Sequence, residues 1–269
     1  MRDPREVLSR PAPAPDVTLR YGPLPEHVVD VRWPTSAGAG PAPLVLVVHG
    51  GFWRAATDRQ HTGPQAAGLA AEGFAVAVIE YRRTGRPGGG WPSTFEDVEA
   101  AANEVPGLVA EAAAGADVGV DTGSTVLLGH SAGGHLVAWL ATRDLSDVAG
   151  AVSLGGVLDL DAAYRLRLDA GPGPSAVEAL LGGGPSDVPD RYAAADPTRL
   201  PPPAVPVQAL HGTADDVVPA ELSRSYAAAT GASLHLVDGG DHFGLIDPLS
   251  AAWPETLSAV RRAAAGSPG

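Results

Sequence analysis

The residues best suited to chemistry begin with Gly129-His130-Ser131-Ala132-Gly133-Gly134. The run fits G-x-S-x-G, with an apolar stretch before it and a helical one after it. A serine on a sharp strand-to-helix turn presents its hydroxyl outward, and small residues on both sides relieve the crowding of that turn. The helix starting there also aims amide N–H groups and a positive dipole end at the same point. Such a serine becomes a nucleophile when a base stands beside it and a buried carboxylate orients that base. Two aspartates compete for the carboxylate role, Asp215 and Asp216, in His211-Gly212-Thr213-Ala214-Asp215-Asp216-Val217-Val218-Pro219. Eight histidines are available as the base. His130 lies inside the turn and is expected to point away from the Ser131 hydroxyl. His49 and His211 belong to other loops, His235 alternates with Leu234 and Leu236 in a strand, and His27 and His61 adjoin no recognised element. His242, in Gly239-Gly240-Asp241-His242-Phe243-Gly244, follows the acid in a loop after a strand, so it is assigned as the base. From Ser131 to Asp215 is 84 residues and from there to His242 is 27, room for a strand with an insertion and then for one helix and one strand.

A second loop, His49-Gly50-Gly51-Phe52-Trp53, could serve the same carbonyl. An oxyanion needs at least two preorganised N–H donors, and glycine lets the backbone approach a substrate closely. His49 itself is expected to brace the loop by hydrogen bonds. Trp53 is either core packing or a pocket wall.

Positioning these loops requires strands that end beside one another. Val28 to Val31, Leu44 to Val48, Ala75 to Ile79, Thr125 to Leu128, Val148 to Leu154, Val207 to Leu210 and Leu234 to Val237 are short apolar runs rich in β-branched residues, as buried strands are. Helical stretches alternate with them: Thr62 to Ala71, Phe95 to Ala114, Ala132 to Thr142, Pro219 to Ala229 and Leu249 to Ala264. Pro106 makes the second either kinked or two pieces. The alternation predicts an α/β fold with a mostly parallel sheet covered on both faces. Residues 1–20, Pro-rich and polar, are expected to be a flexible arm, and 21–269 one domain. Residues 155–206 hold no good strand and are rich in Gly and Pro, which suggests a short cap over the pocket. Its Tyr164, Leu166, Leu168, Leu180 and Leu181 suggest an apolar acyl or aryl site. Asp159 and Asp161 read as a helix start, and Arg82, Arg83 and Arg86 as structural or surface charges.

The chain of 269 residues carries 18 basic residues, all Arg, against 31 acidic ones and a net charge of -13. That balance argues against nucleic acid and anionic membranes as partners. Without Cys there is no thiolate nucleophile or cysteine-ligated metal, and without Lys no Schiff base. No apolar run approaches the roughly 20 residues that span a bilayer. The start shows no apolar signal region, which reads as cytoplasmic.

These motifs, in this order, resemble the α/β-hydrolase superfamily from about Tyr21 to Ala264. The narrower resemblance is to small serine esterases of the hormone-sensitive-lipase and kynurenine-formamidase (arylformamidase) type. It is carried by HGGFW, Glu80-Tyr81-Arg82-Arg83, Gly90-Trp91-Pro92, GHSAGG and Arg191-Tyr192-Ala193-Ala194-Ala195-Asp196-Pro197. Phe52 stands where many lipase relatives have a third glycine, which agrees better with formamidase-like and feruloyl-esterase-like members. The resemblance implies an oxyanion hole from the N–H groups of Gly51, Phe52 and Ala132, and an acid at Asp215 with Asp216 toward solvent. It implies a catalytic Ser131, Asp215 and His242, with Trp53 and Tyr164 as pocket residues and neither metal nor organic cofactor. The expected substrate is a small or aryl carboxylic ester. An amidase, formamidase or aminoacyl peptidase on the same triad and a noncatalytic small-molecule binder are the alternatives, in a monomer or homodimer.

Overall fold

In the computed structural model of the chain, residues 3–266 apart from 37 and 39 are described. Eight strands form one sheet: β1 Val17–Arg20, β2 Val28–Arg32, β3 Ala42–Val48, β4 Ala75–Ile79, β5 Val120–His130, β6 Val148–Leu154, β7 Val207–Gly212 and β8 Ser233–Val237. Their order is β1-β2-β4-β3-β5-β6-β7-β8. β1 and β2 pair antiparallel, as do β2 and β4, and every pair from β4 to β8 is parallel.

The helices are α1 Gly63–Ala71, α2 Ser93–Gly115, α3 Ala132–Leu140, α4 Leu160–Arg165, α5 Ala176–Leu181, α6 Pro189–Ala195, α7 Glu221–Thr230 and α8 Trp253–Ala264. Strand periodicity sorts the core onto two faces. On β3, Leu44, Leu46 and Val48 pack with α2 and α3, while Val45 and Val47 pack with α1 and α8. Burial on both faces is why these strands read as unbroken apolar runs rather than alternating ones. All parallel strands therefore end on one edge, where the loops after β3, β5, β7 and β8 meet. Among the described residues no helix is long and apolar enough to cross a membrane.

Several elements differ from the sequence expectations. The start is not a free arm: a 3-10 turn, Pro4–Leu8, buries Val7 against the α1/α8 face, and β1 pairs with β2. Arg10 clamps Asp247 with two hydrogen bonds, 2.5 and 2.9 Å long. β1 escaped notice because at the sheet edge its residues alternate between intermediate and exposed. Helix α2 runs unbroken through Pro106, which is buried within it. Residues 155–206 hold three short helices, α4 to α6, too brief for periodicity to show. They form a layer on α3, whose His135 and Trp139 donate to the carbonyls of Ala195 and Ala194. Asp159 caps α4 through the N–H of Ala162, as its sequence context suggests.

Candidate active site

Ser131 sits between β5 and α3 with φ 55° and ψ −117°, a positive φ that a non-glycine residue rarely adopts. Its N–H donates to Leu154 O on the neighbouring strand at 2.8 Å, which holds the turn against the sheet. The flanking glycines are steric requirements. A Cβ on Gly129 would stand 2.1 Å from Gly133 O, and one on Gly133 would stand 2.0 Å from Val48 O.

The loop after β7 holds the Asp215 carboxylate. Asp215 Oδ1 accepts the N–H groups of Val217 and Val218 at 2.9 and 2.8 Å. Oδ2 accepts His242 Nδ1–H at 2.6 Å and lies 3.3 Å from His211 Nε2. Burial pushes the carboxyl up, but the hydrogen bonds from His211, His242 and Val218 outweigh it and hold it well below the usual carboxylate range. Asp216 is exposed, whereas the Asp215 carboxylate is enclosed by these partners. His211 is fixed in turn by Ser223 Oγ on α7, 2.7 Å from its Nδ1. It thus braces the acid, a task that nothing in its sequence position announces.

With Nδ1 committed to Asp215, Nε2 is the ring nitrogen of His242 left for another partner. The imidazole is held by packing against His130, with ring centroids 4.5 Å apart, and against Phe243 at 5.0 Å. Contrary to expectation, His130 does not point away. It donates from Nε2 to His242 O at 2.9 Å and lines the same cavity. Its place inside the turn carries the ring across to the β8 loop, a neighbour only the tertiary fold supplies.

The loop after β3 is braced by Glu80, at the end of β4. His49 Nε2–H and the N–H of Tyr81 both donate to Glu80 Oε1 at 2.9 Å, and Arg59 N–H donates to Oε2 at 3.2 Å. Arg83 Nε stands 3.1 Å from the same carboxylate. Burial raises Glu80, yet the hydrogen bond and charge of His49 and the neighbouring Tyr81 N–H and Arg83 bring it below its ordinary value. His49 stacks on Tyr81 at 4.4 Å, and Tyr81 Oη donates to His49 O. So His49 is a brace, and Arg82 and Arg83 pair with Asp97 and Glu80 as structural charges. Above this support Gly51, Phe52 and Trp53 have φ of 105°, 50° and 55°. Among the described residues the N–H groups of Gly51, Phe52 and Ala132 donate to no protein acceptor.

Gly51, Phe52, Ser131, His130 and His242 line one cavity of about 170 Å³, closed by Leu8, Thr57, His61, Val217 and Phe243. The other two expected pocket residues are elsewhere. Trp53 is 0% exposed in the core, edge-on to His135. Its positive φ directs the indole into the sheet–α3 layer. Tyr164 packs against Tyr192 and Gly184 within the α4–α6 layer. None of the cavity lining comes from 155–206, and Leu166 is 53% exposed. The 3-10 turn before β1 and the loop at 57–61 supply the walls assigned to that segment. Leu8 and His61 were missed because neither stands in a recognisable motif. Among the described residues no cluster of His, Asp and Glu is arranged to hold a metal ion.

Residues 29–229 match the BD-FAE family model. Two relatives from Mycobacterium tuberculosis are similar: Esterase LipQ, 29% identical over 227 residues, and Probable carboxylic ester hydrolase LipM, 28% identical over 233 residues. The matches cover 78% and 79% of this chain and 51% of each relative, so the chain spans about half the length of the curated relatives it matches. Among solved structures, a truncated carbohydrate esterase from gut microbiota superposes with a TM-score of 0.76 at 21% identity, over 94% of this chain and all of that one. Esterase B from Lactobacillus Rhamnosis gives 0.74 at 17% identity, over 98% and 90%. At these identities the likeness is one of architecture, the α/β-hydrolase fold.

Proposed function

The chain belongs to the BD-FAE family, and from that premise we propose that it is a serine hydrolase of carboxylic esters with short acyl groups. The observation that carries this reading is the shared cavity of Ser131 and His242, with the Asp215 carboxylate on the far nitrogen of His242. The named esterase relatives support the same reaction class. His242 Nε2 takes the Ser131 Oγ proton as the oxygen attacks the ester carbonyl. The N–H groups of Gly51, Phe52 and Ala132 receive the oxyanion, and they do so without reorganising because the loop is already braced from below. The C–O bond breaks, His242 returns its proton to the departing alcohol, and the acyl group stays on Ser131. Water then gives its proton to His242 and its hydroxide to the acyl carbon; the bond from that carbon to Ser131 Oγ breaks, the proton on His242 passes to Oγ, and the acid leaves.

A cavity of about 170 Å³ is small beside ordinary ligand pockets of roughly 300 Å³ and more, which favours acetyl to butyryl groups over long chains. The test is a panel of p-nitrophenyl esters of rising acyl length, run beside labelling by a fluorophosphonate. The expected result is turnover that peaks at short acyl groups and label on Ser131 alone. A chain that takes no label and cleaves none of the esters is not such a hydrolase.

A further inference from the structure

Residues 4–10 are fastened to the loop that carries His242. Arg5 lies over the Phe243 ring, 5.6 Å from its centroid, and Arg10 holds both oxygens of Asp247. Val7, between them, is fully buried in the core. The 3-10 turn Pro4–Leu8 is also closed by its own backbone: Glu6 N–H donates to Asp3 O at 3.1 Å and Ser9 N–H to Glu6 O at 3.2 Å. The backbone at Leu8 is thus pinned on both sides. Its half-buried side chain packs against the apolar cluster that Phe243 also joins.

Leu8, Thr57 and His61 each face two spaces. One is the cavity of about 170 Å³ at Ser131, and the other is a depression of about 470 Å³ that reaches Arg10, Asp58 and Gln60. These three residues stand between the two. Thr57 and His61 are committed there by polar bonds: Thr57 O accepts from Arg83 Nη1, Thr57 N–H donates to Arg54 O, and His61 Nδ1 bonds to Asp58 O. Leu8 meets the cavity with a side chain that has no polar bond to keep, so its size alone sets how far the space extends on that side. We propose that Leu8 is the specificity-determining residue of this site: its side chain is the wall that stops the acyl group of the ester at about butyryl length. The assignment to the acyl group follows from the order of the reaction. The acyl group stays on Ser131 through both half-reactions, whereas the alcohol must leave and water must enter, so a walled space suits the group that stays. The proposal rests on the ester-hydrolase reading and can fail separately from it.

The experiment measures kcat/KM for p-nitrophenyl esters from acetate to octanoate, with the whole chain, Leu8→Ala and Leu8→Phe. Leu8→Ala takes the isopropyl group off the wall, which leaves room for about two more methylenes, and each buried methylene is worth roughly fourfold. The hexanoate-to-acetate ratio should therefore rise about tenfold. Leu8→Phe thickens the wall, and the butyrate-to-acetate ratio should fall about tenfold. Ratios cancel any loss of active chain that is common to all the esters, and the Phe variant carries the test if the Ala variant melts early. Ratios unmoved in variants that melt normally overturn the wall and leave the hydrolase. An unaltered chain that cleaves the octanoate as well as the butyrate overturns the wall without any variant. A second series, acetates of alcohols from methanol to hexanol followed by acid release, should keep its length profile in both variants. A shift there with none in the acyl series overturns the acyl assignment. If the unaltered chain cleaves no ester, the hydrolase reading fails and the wall falls with it.

Discussion

Two regions meet at the small cavity, and they are built on opposite terms. On the strand-end side, the polar groups that matter are answered from within the protein. Asp215 has His242, His211 and two backbone N–H groups, and Glu80 has His49, Arg59 and Tyr81. On the N-terminal side, Arg32 is buried with one carbonyl partner. A buried polar group satisfied by its neighbours sets geometry, whereas a buried charge without a direct carboxylate partner is offset only by more distant ones, as Asp30 and Asp16 do for Arg32. The exceptions on the first side are the N–H groups of Gly51, Phe52 and Ala132, which among the described residues donate to no protein acceptor.

The comparison is most severely tested at Ser131. Ser131→Ala should lose about 10⁴-fold or more in kcat while the chain melts normally. Activity near that of the unaltered chain would remove the nucleophile from the reading. Asp215→Asn comes next, with a loss on the order of 10³ to 10⁴ in kcat, because the amide favours the wrong His242 tautomer. A pH–rate profile distinguishes this from simple misfolding. Glu80→Gln should cost about 3 kcal/mol in denaturant unfolding, since it leaves His49 and Arg83 around a neutral amide. As Glu80 acts through the loop it braces, kcat for a neutral ester should fall more than KM rises. A loss of stability with kcat intact would mean that the brace does not position the donors.

Smaller effects probe the other side. Arg10→Ala removes the clamp on Asp247 and should cost about 1 kcal/mol or somewhat more, with KM for short esters altered because Leu8 wall and clamp belong to one segment. Unchanged kinetics would show that the N-terminal turn only covers the core. Two histidines act through pH rather than through a substitution. Burial holds His61 and His135 down to about 4 from an ordinary 6.5. The unfolded chain therefore binds protons that the folded chain refuses. Stability is full above pH 6.5 and declines as pH falls toward 4. Asp215, also held low, continues the decline through the ordinary carboxylate range and below. Denaturant midpoints that stay flat from pH 7 to 4 would contradict the refusal of those protons.

Much of the strand-end side is legible in the residues alone. The runs ending at Val48, Leu128 and Leu210 are strands because both faces of a parallel sheet are buried, and each motif follows one of them. Glycines at 129 and 133 are readable because a backbone atom stands where their Cβ would be. The N-terminal side left no such signal. β1 lies at an edge, the turn at Pro4–Leu8 is too short for periodicity, and Leu8 and His61 reach the cavity without a motif. The same limit misplaced Trp53 and Tyr164, since residue type tells how apolar a side chain is and not which layer it enters.

By itself, then, the chain's sequence determined the α/β alternation and the sharp turn at Ser131 between its two glycines, both of which depend on local sterics and periodicity. Only the tertiary structure decided that His211 contacts Asp215 and His130 holds the carbonyl of His242, that Glu80 supports the loop at Gly51, and that Leu8, Thr57 and His61 wall the cavity rather than residues of 155–206. Those outcomes turn on contacts between residues far apart in the chain. Such contacts are fixed by how layers pack around the sheet and leave no trace in the spacing of neighbours.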